Sequence, residues 1–353
     1  MPMSDETSPA ADINDAANAV AVADADADVA AAAADAANAD ADADAGASAV
    51  ADAYPLLLID AGNSRVKWEF RESDTAPPVR GALLTAWLKG ASLSDTSPDS
   101  ATTAATPPVG NVDSEAARSA TLRAWQTLAI PTSIWISNVA GEEVATTLST
   151  WLSTQWPRVP THTIRAMAAQ CGVTNHYLAP ERLGSDRWAG MIGARAAYPD
   201  EALVIATLGT ATTLDALNAN GHFVGGLIAP GWALMMRALG EHTAQLPILS
   251  LGDAAAAQPR PTSSASKKPS PGTFAQATPD AIMQGCQLAQ VGLITQAWHQ
   301  WQDTLGMPVR CVLAGGAAAD IGAALAIPHT RNDTLVLDGL ARIATQQRAS
   351  RTQ

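Results

Sequence analysis

Cysteines are few in this sequence, and long apolar runs are missing. The three cysteines, Cys171, Cys286 and Cys311, are odd in number and follow no metal-ligand spacing, which predicts reduced core thiols rather than disulfides or a metal site. The six histidines are scattered, none at the spacing of metal ligands. No run of 18 apolar residues occurs, so we expect no membrane-spanning helix. These absences predict a cytoplasmic protein.

Positive charge is absent from residues 1–54. This segment holds 12 of the 34 acidic residues, with no Lys or Arg, and consists mostly of Ala, Asp, Asn, Val and Ser. The remainder has 22 acidic and 21 basic residues, so the net charge of −13 belongs to the tail and no nucleic-acid-binding surface is indicated. A segment of alternating Ala and Asp buries little apolar surface and its carboxylates repel one another, which predicts a disordered tail. It lacks the positive start and apolar core expected of a signal peptide.

Strand-like and helix-like segments alternate along the rest of the chain. Apolar runs rich in β-branched residues predict strands, including an antiparallel meander over residues 203–228, and residues 278–305 predict a long helix. Polar low-complexity segments at 92–113 and 252–274 predict a surface loop and a flexible insert. The alternation predicts an α/β fold, and 353 residues allow two domains.

Two segments about 150 residues apart share one pattern. In residues 56–64 and 205–215, a buried strand is followed by a polar residue, then by Gly with Asn or Thr, then by a second strand. Asp60 falls at the carboxyl end of its strand, where ligands bind in open α/β sheets, and the backbone N–H groups after it can hold phosphate oxygens. A hairpin with a polar tip explains the first segment taken alone. The repetition predicts two related halves across a nucleotide cleft and favours phosphoryl transfer.

A third glycine-containing segment, residues 183–187, lies between these two. Asp186 falls at the N-terminus of a predicted helix, where the helix dipole favours an ionised carboxylate. Asp186 is either a helix cap or a general base beside Arg187, which can bind an anionic group of a substrate.

These motifs resemble those of type III pantothenate kinases, members of the actin-like, sugar-kinase-like and Hsp70-like superfamily. Residues 60–67 match the family's opening Asp-x-Gly-Asn-[Ser/Thr]-x-x-Lys, and residues 175–187 match its substrate segment at every fixed place. Residues 225–231 and 243–247 match Gly-Gly-x-Ile-x-Pro-Gly and Thr-Ala-x-Leu-Pro, and the pair at 315–316 resembles a glycine pair of the family. The likeness spans roughly residues 56–345.

The resemblance implies two ribonuclease-H-like domains around a nucleotide cleft. Residues 55–172 would form the first domain, with the ATP phosphate-binding turn, and residues 173–350 the second, with the pantothenate site. The implied activity is the phosphorylation of pantothenate to 4′-phosphopantothenate, the first step of coenzyme A biosynthesis, with ATP and Mg²⁺. The implied protein is a cytoplasmic homodimer without nucleic-acid or membrane partners.

The resemblance also implies a role for each matched residue. Asp60 would hold Mg²⁺ through the ATP phosphates, and Asp186 would take the proton of the pantothenate hydroxyl. Thr243 would reach pantothenate near or across the dimer interface. The ATP-binding residues would be Asp60, Ala61, Gly62, Asn63, Ser64, Arg65, Val66, Lys67 and Thr210. The pantothenate-binding residues would be Tyr177, Gly184, Ser185, Asp186, Arg187 and Thr243.

The chain departs from the family pattern at Thr207. The family usually has Asp-x-Gly-Thr in the later turn, where the Asp is associated with a monovalent cation, K⁺ or NH₄⁺, and Thr207 stands in the place of that Asp. A neutral hydroxyl binds K⁺ less well than a carboxylate does. We therefore expect the protein to work without bound K⁺ or to bind it weakly.

Two other functions fit a kinase-like chain. One is a regulatory factor that needs no catalysis, against which the intact Asp60, Lys67, Asp186 and Arg187 argue. The other is a phosphohydrolase of the same superfamily, which would need a water-activating carboxylate in place of the substrate segment.

Overall fold

The computed structural model describes residues 53–89, 112–249 and 274–352 of the chain. The predicted acidic tail, except for its last two residues, and the predicted insert at 252–274, except for its last residue, lie outside the described residues. None of the described helices combines the length and the apolarity that a membrane span requires.

The first sheet has five strands in the order β3-β2-β1-β4-β5. The central strand β1 pairs antiparallel with β2 and parallel with β4. Its apolar residues are buried on both faces, which explains why it is a continuous apolar run rather than an alternating one. The elements are β1 (Leu56–Ala61), β2 (Arg65–Arg71), β3 (Val79–Leu84), α1 (Val112–Thr127), β4 (Ser133–Asn138), α2 (Glu142–Gln155) and β5 (Thr161–Thr163).

The second sheet has seven strands in the order β12-β11-β8-β9-β10-β7-β6. Strands β8, β9 and β10 form the antiparallel meander that the sequence predicts, which is thereby confirmed. The elements are β6 (Ala169–Gln170), β7 (Val173–Asn175), α3 (Ser185–Ala197), β8 (Ala202–Leu208), β9 (Ala211–Leu217), β10 (His222–Pro230), α4 (Trp232–His242), α5 (Thr278–Leu305), β11 (Val309–Ala314), α6 (Ala318–Ala324), β12 (His329–Arg331) and α7 (Leu335–Thr352).

One strand arrangement occurs twice in the chain. In the first sheet, β1, β2 and β3 form an antiparallel meander, and β4 and β5 add in parallel on the other side of β1. Strands β8 to β10 repeat the meander, and β11 and β12 repeat the parallel addition beside β8. This repeat confirms the predicted α/β fold with two related, ribonuclease-H-like halves. The limits of the two domains, 55–172 and 173–350, stay a prediction.

Helices α3 and α7 pack against each other and against the first sheet. Helix α3 contacts β4 of the first sheet and β7 and β9 of the second, while α7 contacts β1 and β4. A small residue makes the close approach of the helices possible, since a side chain at Gly193 would meet the backbone of Leu335. Helix α3 therefore touches both halves, and its N-terminus carries the last three residues of the predicted substrate segment.

The structure bears out only part of the prediction made for the cysteines. Cys286 and Cys311 are buried, as predicted for core thiols, and burial raises the pKa of Cys311 to about 12. The same prediction is wrong for Cys171, which lies half-buried in the turn between β6 and β7. Cys171 and Gly172 both have positive φ, 52° and 77°, as in a two-residue hairpin turn. A tight turn keeps Cys171 out of the core.

Candidate active site

The first predicted phosphate turn is the tight connection between β1 and β2. The Gly62 N–H donates to the carbonyl of Arg65 at 3.0 Å, which closes the turn. Thr85 Oγ1 donates to the Gly62 carbonyl at 2.6 Å and ties the turn to the segment after β3. Asn63 and Ser64 are exposed at the tip. The sequence interpretation missed Thr85, because a Thr after a strand has no distinctive pattern.

The other predicted ATP-binding residues flank this tip. Ala61 and Val66 lie opposite each other in the β1–β2 register and are both buried, so their backbones are the parts that can face a nucleotide. Arg65 is exposed. Lys67 is half-buried and lies opposite Asp60 in the same register. The Lys67 ammonium group therefore belongs to the strand next to the one that carries Asp60, the predicted metal ligand.

The two repeated turns meet. Ser64 Oγ lies 2.6 Å from Thr210 Oγ1, a contact between side chains 146 residues apart. Thr210 is exposed at the tip of the β8–β9 turn, which the Gly209 N–H closes by donating to the Ala211 carbonyl at 3.0 Å. The two halves of the molecule thus place their glycine-containing turns side by side, as the repeated pattern predicts.

Asp60 is suited to hold a cation. It is half-buried at the carboxyl end of β1. Burial, together with the neighbouring Asp186 carboxylate, raises the pKa of Asp60 to about 7 against the lowering effect of Lys67. Two nearby carboxylates disfavour each other's ionised form, and a cation held by Asp60 would relieve that repulsion. Mg²⁺ commonly binds through one or two carboxylates and substrate phosphates, which this arrangement fits. Within the described ranges, no cluster of three or more His, Cys, Asp or Glu side chains could hold a metal ion by itself.

Asp186 lies in the first turn of α3, near enough to Asp60 for its charge to raise the pKa of Asp60. Its Oδ1 accepts a hydrogen bond from the Arg187 N–H at 2.8 Å. The residue two positions before Asp186 has to be small, because a side chain at Gly184 would come within 2.7 Å of Asp186 Oδ1. The arrangement suits a carboxylate that accepts a proton.

A buried pair of hydroxyl groups joins α3 to the first sheet. Ser185 Oγ and Ser137 Oγ are 2.9 Å apart, and Ser137 lies opposite Asp60 in the parallel register of β1 and β4. The predicted substrate residue Ser185 is therefore fixed next to the predicted metal ligand. The sequence interpretation missed Ser137, because its position within β4 predicts only a strand residue.

Arg187 has a buried partner that the sequence interpretation missed. Its Nε and Nη2 both donate to Asp215 Oδ1, at 2.9 and 2.5 Å, and its Nη1 donates to the Tyr177 hydroxyl at 3.1 Å. The guanidinium also lies 5.6 Å from the centre of the Tyr177 ring. Burial raises the pKa of Asp215 to about 6 in spite of the lowering effect of Arg187. An Asp inside an apolar strand was the available signal, because a buried carboxylate needs a cationic or hydrogen-bonding partner.

The backbone of β10 leaves room for this ion pair. A side chain at Gly226 would lie 2.3 Å from Arg187 Nη2 and 2.8 Å from Asp215 Oδ1. Gly226, the second glycine of the matched Gly-Gly motif, therefore leaves the space that the Arg187 guanidinium occupies. Tyr177 is held from the other side, because its N–H donates to Asn175 Oδ1 at 3.0 Å and its ring packs 5.0 Å from that of Phe223.

Two predicted residues lie differently from the rest. Thr243 follows the last turn of α4 and donates to the carbonyl of Leu239 at 2.6 Å, so its described hydrogen bond is with its own helix. Thr207 lies near the end of β8, half-buried and opposite Thr213 of β9. Thr213 Oγ1 is buried and has no hydrogen-bond partner in the part of the chain that the structure describes. Two neutral hydroxyls therefore stand where the family has a carboxylate.

Comparison with known proteins gives one consistent result. Residues 56–300 match the family model described as type III pantothenate kinase. The type III pantothenate kinase of Paraburkholderia xenovorans (strain LB400) is 48% identical over 297 residues, which cover 84% of this chain and 97% of that protein. That of Burkholderia vietnamiensis (strain G4 / LMG 22486) is 50% identical over 292 residues, covering 83% of this chain and 97% of that protein.

The comparison with solved structures adds no functional argument. A Campylobacter jejuni structure described as a Baf family transcriptional activator overlaps with a TM-score of 0.44 and 16% identity, over 82% of this chain and 98% of that chain. The family model and the two relatives, by contrast, cover most of the chain. They confirm the resemblance seen in the motifs, and the chain belongs to the type III pantothenate kinase family.

Proposed function

We propose that this protein phosphorylates pantothenate with ATP to give 4′-phosphopantothenate, the first step of coenzyme A biosynthesis. The observation that carries the proposal is the convergence of three segments. The two turns meet where Ser64 Oγ lies 2.6 Å from Thr210 Oγ1. Asp186, at the start of α3, is close enough to Asp60 to raise the pKa of Asp60. Phosphoryl transfer needs positioning, charge neutralisation and a base that orients the nucleophile.

The two turns would hold the phosphates of ATP. Exposed Asn63, Ser64 and Thr210 offer side-chain and backbone donors, and Lys67 adds a positive charge next to Asp60. Asp60 would hold Mg²⁺, which supplies neutralisation of the phosphate charge when it is bound. Thr207 and Thr213 offer neutral hydroxyl groups where the family has a carboxylate that is associated with a monovalent cation. We therefore still expect turnover without bound K⁺.

Asp186 would accept the proton of the pantothenate hydroxyl. Its hydrogen bond within the described residues involves Oδ1, which leaves Oδ2 to accept from the substrate. Proton transfer to a positioned carboxylate lets the hydroxyl oxygen attack the terminal phosphate of ATP as its charge develops.

Arg187 and Tyr177 would orient pantothenate beside this base. Because the Tyr177 hydroxyl accepts from Arg187 Nη1, its own O–H can donate to an acceptor on the substrate. Asp215 holds the guanidinium through Nε and Nη2, and the remaining N–H groups of Arg187 can meet an anionic group. The Gly184–Ser185 backbone would line the same site, and Thr243 would reach pantothenate in a cytoplasmic homodimer.

One assay tests this function. Purified protein with ATP, Mg²⁺ and pantothenate should release ADP only when pantothenate is present, and Asp186→Asn should abolish this release. Asp280→Asn is the matched control, because Asp280 lies in the first turn of another helix, α5, and it should keep full activity. ADP release without pantothenate would favour the phosphohydrolase, and no turnover in any of the proteins would favour the regulatory factor.

A further inference from the structure

The side chain of Gln290 is a polar group in the core behind the second sheet. It lies on α5 and has no solvent exposure. Its Oε1 accepts a hydrogen bond from Thr212 Oγ1, and its Nε2 donates to the carbonyl of Pro230 at 2.9 Å. A buried amide is stable only when its polar atoms have partners. The oxygen and the nitrogen of this amide therefore both form hydrogen bonds with other parts of the fold.

Two of the three hydrogen-bond partners of Gln290 adjoin the Thr210 turn. Thr212 is the second residue of β9, two positions after Thr210. Pro230 is the last residue of β10, and the next N–H, that of Gly231, donates to the Thr210 carbonyl at 2.9 Å. Gln290 thus bridges the adjoining ends of β9 and β10 at the point where the Thr210 turn rests on them.

We propose that Gln290 is a positioning residue for the ATP phosphates. It sets the position of the Thr210 turn against β10, and so the distance between Thr210 and Ser64 across the cleft. Being fully buried, it acts through the turn and not on the substrate itself. This inference rests on the proposed function, since it deepens the role of the phosphate turns.

Gln290→Met tests the inference with little change of side-chain length. The variant leaves Thr212 Oγ1 and the Pro230 carbonyl without their partner, so the Thr210 turn loses its fixed position. We expect KM for ATP to rise about tenfold, which corresponds to the effect of one of the two lost hydrogen bonds, while KM for pantothenate stays unchanged. Gln287→Met is the matched control, because Gln287 lies one turn earlier on α5 and donates to the Asp320 carbonyl at 3.2 Å, away from the turn.

Gln290→Glu gives a readout that a purely structural role would not move. An ionised Glu cannot donate to the Pro230 carbonyl, whereas a protonated Glu can, and burial raises the pKa of such a carboxyl. Relative to the wild type at the same pH, KM for ATP in Gln290→Glu should fall as the pH is lowered. Gln290→Met should show no such recovery.

Binding of a non-hydrolysable ATP analogue with Mg²⁺, measured by calorimetry without pantothenate, separates this inference from the proposed function. If the wild type binds the analogue but turns over no pantothenate, the proposed function fails while the inference is still tested by the weaker binding expected in Gln290→Met. Equal affinity in wild type, Gln290→Met and Gln287→Met would overturn the inference. Equal rises of KM for ATP and pantothenate would also overturn it, as would a Gln290→Glu profile parallel to that of the wild type.

Discussion

Asp215→Ala should destabilise the protein strongly, because it leaves a buried guanidinium without its counter-ion. The side chains of Arg187 and Asp215 are 8% and 2% exposed, and two N–H groups of Arg187 point at Asp215 Oδ1. Removing one partner of a buried ion pair costs about 3–5 kcal/mol. The free energy of unfolding of a domain is about 5–15 kcal/mol, so this loss is a large part of it.

The assay is equilibrium unfolding in urea, followed by tryptophan fluorescence. Asp215→Asn keeps an acceptor and should cost less than Asp215→Ala, about 1–3 kcal/mol. Replacing both partners by apolar residues, Arg187→Met with Asp215→Leu, should restore much of the stability, because no charge is left unpaired. Glu201→Ala is the control, since the Arg310–Glu201 pair is 35% and 41% exposed and its loss should cost about 1 kcal/mol at most.

The same variants separate stability from substrate binding. Arg187 holds the Tyr177 hydroxyl, so Asp215→Asn should raise KM for pantothenate more than KM for ATP. The double apolar variant should be stable but unable to use pantothenate. If Asp215→Ala unfolded at the same urea concentration as Glu201→Ala, or if the double variant were the least stable of all, the buried ion pair would not be the stabilising interaction described above.

Three further outcomes are expected. Folding raises the pKa of Asp60 from 3.8 to about 7, so the folded protein binds more protons than the unfolded chain between these pH values. The free energy of unfolding of the metal-free protein should therefore fall as the pH rises from 3.8 to about 7, and urea titrations should show a smaller fall in Asp60→Asn. Gly226→Ala should raise KM for pantothenate in steady-state kinetics, since its methyl group would displace Arg187; an unchanged KM would contradict this. Replacing K⁺ by tetramethylammonium should leave wild-type turnover nearly unchanged, whereas Thr207→Asp should make turnover depend on K⁺.

The turns and the substrate segment were predictable because their requirements are local. Gly62 and Gly184 lie where the chain must turn beside a polar side chain, and the residues next to them carry the phosphate donors and the carboxylate. Asp215 was not predictable as a partner of Arg187, because the two lie 28 residues apart on different elements. Cys171 shows the opposite error, since it was predicted to be a core thiol while its backbone forms a turn.

The amino-acid sequence by itself determined the α/β alternation, the repeated glycine-containing turn and the family. Those features depend on side-chain periodicity and on backbone geometry over a few residues. Only the tertiary structure decided that Ser64 meets Thr210, that Asp215 neutralises Arg187 and that Gln290 supports the second turn. Such pairs form where a polar group is buried and needs a partner, and that partner comes from whichever element the fold packs beside it.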